Sequence, residues 1–297
     1  MRRQSLFLAS SLIVLGTLRL AGCKASASGD TPPLSDAAAD AGSSAAACTI
    51  LFGRPNAQTG LGSDQCRPEC SCGDSVFAPP TYDDAFVQSL IDDWTPSAPY
   101  APLTSDPYAS PAPPDDPPGT VCAVLPGSDP SAKPRPYTLM TYPSEDAANA
   151  AGAKVTHFGR CGVCSTLANL AVYMRENDLT APARACGVAT SSSVDAGPDG
   201  GDPDVICLEQ LGFDLPCAQA WAYDTANTRR VCLGTCLSTL NDPYNEPDGA
   251  LNPCIQCDED QSGPIFKLVA GRTRRNSGLP NAICRPCSEV QPLVHDY

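Results

Sequence analysis

The most regular stretch of the chain is YTLMTYPSEDAANAAGAKVTHFGRCGVCSTLANLAVYMREN, which covers residues 137–177. Its pattern predicts two strands and two helices in alternation: Tyr137–Tyr142, Glu145–Ala151, Lys154–Phe158 and Ser165 to about Asn177. Ser144 and Ser165 carry the small hydroxyl side chain that caps helix N-termini. Strand, helix, strand and helix joined by short links favour a parallel pair of strands inside an α/β core.

Further elements flank this stretch on both sides. Residues 82–94 have helical spacing, and one face would carry Phe86, Val87, Leu90, Ile91 and Trp94. Asp214 and Pro216 open a helical pattern that runs to about Leu240, and Ile265–Ala270 predicts a last strand. We therefore expect a fold of the α/β or α+β class, a single disulfide-rich domain with a small sheet and several helices.

Composition divides the chain into four parts: residues 1–22 as a signal peptide, 23–47 as a low-complexity tether, 48–120 as a Cys-rich loop, helix and Pro-rich connector, and 121–297 as a disulfide-stapled core domain. The tether has almost no large apolar side chains, so its folding would not offset the loss of chain entropy. Pro96–Pro118 contains nine prolines and predicts an extended connector. Gly187–Asp204 is rich in Ser, Asp, Gly and Pro and predicts a surface loop.

The N-terminus has the layout of an export signal. Two arginines, Arg2 and Arg3, precede the apolar run Leu6–Leu18, which is too short to span a bilayer. The run leads into Leu20-Ala21-Gly22-Cys23, and this order resembles the lipobox of bacterial lipoprotein precursors. The resemblance implies cleavage before Cys23, diacylglycerol on its sulfur and acylation of the new amine, which together anchor a protein stably. Lys24 in place of Asp favours the outer membrane, and an ordinary secretory signal is the alternative.

Cysteine usage indicates the same compartment. The chain has 17 cysteines, and assigning Cys23 to lipid leaves an even number for eight disulfides, whose connectivity cannot be deduced from the sequence. Disulfides persist in exported proteins and are rare in the cytosol. The formal charge is −14 and falls to −17 when the three signal-peptide arginines are removed, which argues against a nucleic-acid partner.

The first candidate for chemistry is the CxxC motif Cys161-Gly-Val-Cys164, placed between a predicted strand and a predicted helix. Over residues 137–177 this layout resembles the thioredoxin fold, which implies Cys161 as nucleophile, Cys164 as resolving cysteine and Pro264 in the place of the family's cis-proline. The alternative is that both cysteines are structural staples. Two further CxxC pairs, at 254/257 and 284/287, favour that alternative and also raise the possibility of structural zinc.

Three other segments carry candidate site residues. His157 is the one histidine placed to act as a general base in the core, or else it completes a local hydrogen-bond network. Asp258, Asp260 and Ser262 match early positions of a calcium loop, although Val269 stands where the bidentate Glu belongs, and a solvated acidic turn is the alternative. The third segment supplies a candidate anion site, since guanidinium forks suit carboxylate or phosphate: Arg272, Arg274, Arg275 and Asn276.

Three functions remain open from the sequence. The first is binding of a small, anionic ligand at the cell envelope by the Arg272–Arg275 loop near His157 and Asp258, with the membrane as partner through Cys23 and with Ca²⁺ as the one cofactor considered. The second is a thiol–disulfide oxidoreductase, and the third is a structural envelope protein. The sequence leaves open whether the protein is an enzyme.

Overall fold

The computed structural model describes residues 50–72, 75–189, 201–239 and 241–297. All of them lie within one compact unit, residues 44–297. The predicted signal peptide, lipobox and tether lie outside the described residues, as does most of the predicted loop 187–204.

The described residues form a mixed α/β fold. The strands are β1 Leu51–Phe52, β2 Cys66–Arg67, β3 Cys70–Cys72, β4 Ser75–Phe77, β5 Trp94–Pro96, β6 Val121–Pro126, β7 Arg135–Tyr142, β8 Lys154–Phe158 and β9 Arg285–Pro286. The helices are α1 Asp84–Asp92, α2 Glu145–Ala150, α3 Leu167–Arg175, α4 Thr180–Ala189, α5 Pro203–Gln210, α6 Leu215–Ser238, α7 Pro253–Gln261 and α8 Gly263–Ala270. None of the helices in this part of the chain is long and apolar enough to cross a bilayer.

The largest sheet has four strands in the order β5-β7-β6-β8. β7 and β8 point the same way, as predicted, but they are not neighbours, because β6 lies between them and is antiparallel to both. The sequence analysis missed β6, although its first four residues are completely buried. An apolar run without alternation is typical of a strand covered on both faces, which explains its central position.

Local signals placed several elements correctly. Ser144 caps α2 through the Ala147 N–H, and Asp214 caps α6 through the Cys217 N–H. β8 has the predicted bounds. α3 begins one residue later than predicted, because Thr166 rather than Ser165 caps it.

Two predictions of local structure were wrong. Residues 265–270 belong to helix α8 rather than to a strand, since Pro264 occupies its first turn and Phe266 and Ala270, four residues apart, face the core. In α1, Val87 and Leu90 are buried as predicted, but Ile91 is exposed and Trp94 begins β5.

Seven disulfides connect the described residues, and none joins the two cysteines of a CxxC motif: Cys66–Cys284, Cys70–Cys287, Cys122–Cys161, Cys164–Cys217, Cys186–Cys207, Cys232–Cys257 and Cys236–Cys254. Two of them join the segment of β2 and β3 to the C-terminal segment, and two others join α6 to α7. Residues far apart in sequence are therefore held in one unit. The main apolar core lies between the large sheet and helices α1, α3, α6 and α8.

The CxxC loop before α3 lies directly against the end of α8. The N–H of Val163 donates to the carbonyl of Val269, and the N–H of Cys164 donates to the carbonyl of Ala270. A Cβ on Gly162 would stand 2.3 Å from the Val269 oxygen, so this backbone approach requires glycine.

We predict that Gly162→Ala destabilises the oxidised protein by roughly 1–3 kcal/mol, because the added methyl must displace backbone that is hydrogen-bonded. Gly234→Ala is the matched control, since Gly234 is exposed in α6 with nothing within 4 Å of the added methyl. It should stabilise the protein by about 0.5–1 kcal/mol. Urea unfolding of the two variants measures both effects, and equal stability of the variants would contradict the packing argument.

Candidate ligand-binding site

The CxxC motif at Cys161 and Cys164 is not a redox pair in this structure. Cys161 bonds to Cys122 of β6, and Cys164 bonds to Cys217 of α6. The prediction of a nucleophile and a resolving cysteine is therefore wrong, because the two sulfur atoms are not bonded to each other and Cys164 is completely buried. Pro264, expected in the place of a cis-proline, begins α8 instead.

His157 is a buried structural residue. Its Nε2 lies 2.7 Å from the hydroxyl of Ser165, and its Nδ1 lies 3.0 Å from the carbonyl oxygen of Phe158. Burial, and then the positive charge of Arg272, lower the pKa of His157 well below its usual value. A neutral imidazole with both nitrogens engaged and no solvent access has no contact with a substrate, so the general-base prediction is wrong.

Arg272 is completely buried, and its guanidinium group bonds only to the protein. It donates to the carbonyl oxygens of Thr156, Cys164 and Ser165 and to the hydroxyl of Thr156 at 2.6–3.2 Å. The prediction that Arg272 binds an anion is wrong, because its donors are used within the core.

The neighbouring predicted anion ligands are also engaged by the protein. Arg274 is buried and donates to the carbonyl oxygens of Pro280 and Glu176, and its burial lowers its pKa to about 10. Asn276 donates to the carbonyl oxygens of Phe158 and Gly271. These contacts are those of a folded corner rather than of an open anion-binding loop.

Two other arginine side chains of this region pair with carboxylates. Arg275 forms ion pairs with Glu259 and with Glu289, and Arg285 also pairs with Glu259. The cluster of two arginines around Glu259 is largely neutralised internally. The sequence analysis named Arg275 as a ligand-binding residue and missed both of its acidic partners, which lie 16 and 14 residues away.

The predicted calcium loop does not form. Asp258 and Asp260 lie on helix α7, two residues apart, so their side chains point to different sides. Asp260 is exposed and accepts from Gln256, whereas Ser262 is completely buried between α7 and α8. Within the described ranges, no group of three or more His, Cys, Asp or Glu side chains is arranged to hold a metal ion.

A cleft of about 800 Å³ is formed by α4, α6, α7, α8 and the segments after α8, and we refer to it as the α6–α8 cleft. Apolar side chains cover much of its wall, including Trp221, Leu233, Leu237, Ile255, Phe266 and Ile283. Its polar groups include Asp224, Thr228, Asp258, Glu259, Arg275 and Arg285. Apolar walls with a few convergent polar groups are typical of small-molecule sites.

Disulfides fix the walls of the α6–α8 cleft. Cys232–Cys257 and Cys236–Cys254 cross-link α6 to α7 one turn apart, and Cys236 and Cys254 themselves line the cleft. The separation of the two helices is therefore set covalently at two points. A cleft held open in this way does not close by simple rotation of one helix about a single link.

One hydrogen-bonded chain at the cleft begins at Asp224. The Tyr108 hydroxyl lies 2.8 Å from Asp224 Oδ1 and 3.1 Å from the carbonyl oxygen of Ser262. The single hydrogen of the hydroxyl is thus shared between the Asp224 carboxyl group and the Ser262 carbonyl oxygen. Burial, and then the negative charge of Asp258, raise the pKa of Asp224 well above its usual value, and the hydrogen bond from Tyr108 opposes part of that rise.

A second chain ends at Asp258. Asn227 donates to the Ser262 hydroxyl at 3.0 Å, the hydroxyls of Ser262 and Thr228 lie 2.6 Å apart, and Thr228 donates to Asp258. Burial raises the pKa of Asp258 to about 6. Ser262 thus joins both chains, one through its carbonyl oxygen and the other through its hydroxyl.

Three candidate residues from the sequence, Asp258, Arg274 and Arg275, line the cleft, but its residues on α6 were missed. Trp221, Asp224 and Thr228 lie at spacings of three and four on α6 and share one face. The available signal was an Asp and a Thr on a helix face that also carries apolar residues. That signal is weak. The sequence pattern predicted α6 as one helix without singling out this face, and α8, which packs beside it, was predicted to be a strand.

Comparison with known proteins adds one family match. A family of unknown function (DUF8771) matches residues 202–293, which contain α5 to α8 and therefore α6, α7 and α8 of the cleft. No curated protein and no solved structure matches the chain.

We predict a pH-dependent effect of Asp258→Asn. Because the folded pKa of about 6 exceeds the usual value, the wild-type carboxyl adds no penalty below about pH 4 and destabilises the fold as pH rises through 6. The advantage of the variant over wild type should grow by roughly 1–3 kcal/mol between about pH 4 and pH 7.5.

Denaturant unfolding at several pH values measures this difference, and Asp260→Asn, an exposed change on the same helix, is the control. The asparagine retains an oxygen that accepts from Thr228. A stability difference that stays constant with pH would show that Asp258 has an ordinary pKa.

Proposed function

We propose that this protein is a lipid-anchored binding protein of the cell envelope, which holds a small amphipathic molecule in the α6–α8 cleft. The observation that carries the proposal is the cleft itself, whose volume of about 800 Å³ lies in the range of small-molecule sites, roughly 300–1,000 Å³. The ligand-binding hypothesis from the sequence is retained without its anionic ligand, and its site extends from Arg274 and Arg275, which line the cleft, to the residues of α6 to α8.

Two features of the cleft support binding of an amphipathic molecule. Its wall exposes large apolar side chains, of which Leu233 is 50 % and Leu237 is 66 % exposed. Three of its polar side chains, Asp224, Thr228 and Asp258, lie together between α6 and α7. A ligand with an apolar body and a polar end would match both parts.

Disulfide cross-linking supports preorganisation of this site. The two bridges between α6 and α7 hold the walls before any ligand arrives, so less conformational entropy is lost on binding. The same bridges indicate an oxidising compartment, in which a cell-envelope binding protein would work.

We predict that Leu233→Asp weakens binding of an apolar dye by about tenfold or more, because it places a charge in the apolar wall. Val231→Asp is the matched control, since Val231 is 44 % exposed on the same helix but does not line the cleft. Fluorescence titration with neutral N-phenyl-1-naphthylamine measures both affinities. Equal losses in the two variants, or no dye binding by wild type, would instead favour a structural envelope protein.

The anchor is proposed from the lipobox and from the cysteine count. The seven described disulfides use fourteen of the 17 cysteines, and the other three are Cys23, Cys48 and Cys72. Acylation of Cys23 leaves an even number for disulfide bonding. Acyl chains on one N-terminal cysteine would hold the protein at the membrane through its tether.

We predict that Cys23→Ala moves the protein out of the membrane fraction and abolishes incorporation of a palmitate label, because the acyl acceptor is lost. Lys24→Ala, next to the lipobox but outside it, should retain both properties. Fractionation and intact mass of the two variants measure the outcome. A wild-type chain that is cleaved but carries no acyl groups would contradict the anchor and support an ordinary secretory signal.

A further inference from the structure

Asp224 is a buried carboxyl group that makes no ion pair with any described residue. It is 8 % exposed and its one hydrogen bond to a side chain is with Tyr108. Glu259 and Asp204, by contrast, are paired, Glu259 with Arg275 and Arg285 and Asp204 with Arg229. A buried carboxylate normally has a cationic partner. Asp224 has none among the described residues, so a bound cation would supply the missing ion pair.

The charges nearest Asp224 strengthen this requirement. Asp258 and Glu259, both on α7, act on it with the same negative sign and, with burial, raise its pKa. The Tyr108 side chain that contacts it is a neutral phenol, whose pKa is also raised by burial and by Asp224. An anionic ligand group at this end of the cleft would add another like charge, whereas a cationic group would relieve the repulsion.

Aromatic side chains next to Asp224 suit a cation as well. Trp221 lies one turn before Asp224 on α6, and its ring meets the ring of Phe266 edge to face, with centroids 4.8 Å apart. Trp221 and Phe266 both line the cleft. The faces of such rings attract ammonium groups, most strongly when water is excluded.

Four arginines that line the cleft are already engaged by the protein. Arg275 and Arg285 share Glu259, Arg229 pairs with Asp204, and Arg274 donates to two backbone carbonyl groups. A carboxylate or phosphate ligand would compete with these partners. The carboxyl group of Asp224 has no cationic partner to displace among the described residues.

We propose that the ligand of the α6–α8 cleft is an organic amine, and that Asp224 is the counter-ion of its ammonium group while the apolar body lies against Trp221 and Phe266. This inference rests on the proposed binding function and specifies the chemical class of the ligand. The Tyr108 hydroxyl donates to Asp224 Oδ1. A bound ammonium group would add the ion pair that Asp224 does not make with the described residues.

The test uses three probes with one carbon skeleton: 4-phenylbutylammonium, 4-phenylbutan-1-ol and 4-phenylbutanoate. Calorimetric titration of the purified, fully oxidised full-length protein measures each affinity. We expect the amine to bind about tenfold or more tightly than the alcohol, and the carboxylate to bind most weakly.

Asp224→Asn removes the charge and keeps an oxygen for Tyr108, so it should abolish the preference for the amine and leave the alcohol affinity unchanged. Asp260→Asn, an exposed change on α7, should retain the preference. An unchanged affinity for the alcohol also shows that the Asp224 variant is folded.

The outcomes separate this inference from the binding function. Equal affinity for amine and alcohol overturns the amine proposal while cleft binding stands. A preference for the amine that survives in Asp224→Asn overturns the role of Asp224. Failure of all three probes to bind wild-type protein at millimolar concentration overturns both proposals.

Discussion

The guanidinium group of Arg272 is the interaction on which most of the central structure depends. It is buried without a carboxylate partner and is held by carbonyl oxygens from strand β8 and from the loop before α3. Because it follows α8 directly, it joins the sheet, the CxxC loop and the end of α8 at one point. Its charge also helps to keep the two histidines neutral. Burial, and then the charge of Arg272, lower the pKa of His157, and the same two causes lower the pKa of His295 to about 3.

Disulfides extend this central arrangement to the rest of the fold. Each CxxC motif is divided between two bridges, so every pair staples its segment to other parts of the chain instead of forming a local dithiol. Between α6 and α7 the bridges have a second consequence. They hold two helices at a fixed separation while α8 packs beside them, and the space that remains is the α6–α8 cleft. The CxxC motif at 254/257 thus supports a cavity, whereas the motif at 161/164, from which redox chemistry was expected, is bonded to β6 and α6.

The buried carboxyl groups of the cleft lower the free energy of unfolding. This cost is the reason to consider a functional role for them. Burial raises the pKa values of Asp224 and Asp258. A fold selected only for stability would have apolar residues at these two positions. Donation from Tyr108 to Asp224 and from Thr228 to Asp258 opposes part of this rise in pKa. Residues that break the usual rules of burial and line a cavity are candidates for binding.

Local physical chemistry was sufficient for what the sequence by itself determined: the helices capped at Ser144 and Asp214, strand β8, the α/β class and the oxidising compartment. Caps and periodicity act between residues a few positions apart, so they can be recognised without the fold. Tertiary structure alone decided the pairing of cysteines up to 218 residues apart, the central position of β6, and the helical state of residues 263–270. It also buried Arg272 and brought Asp224 and Asp258 together, because these outcomes depend on which distant surfaces meet, and no local pattern records that.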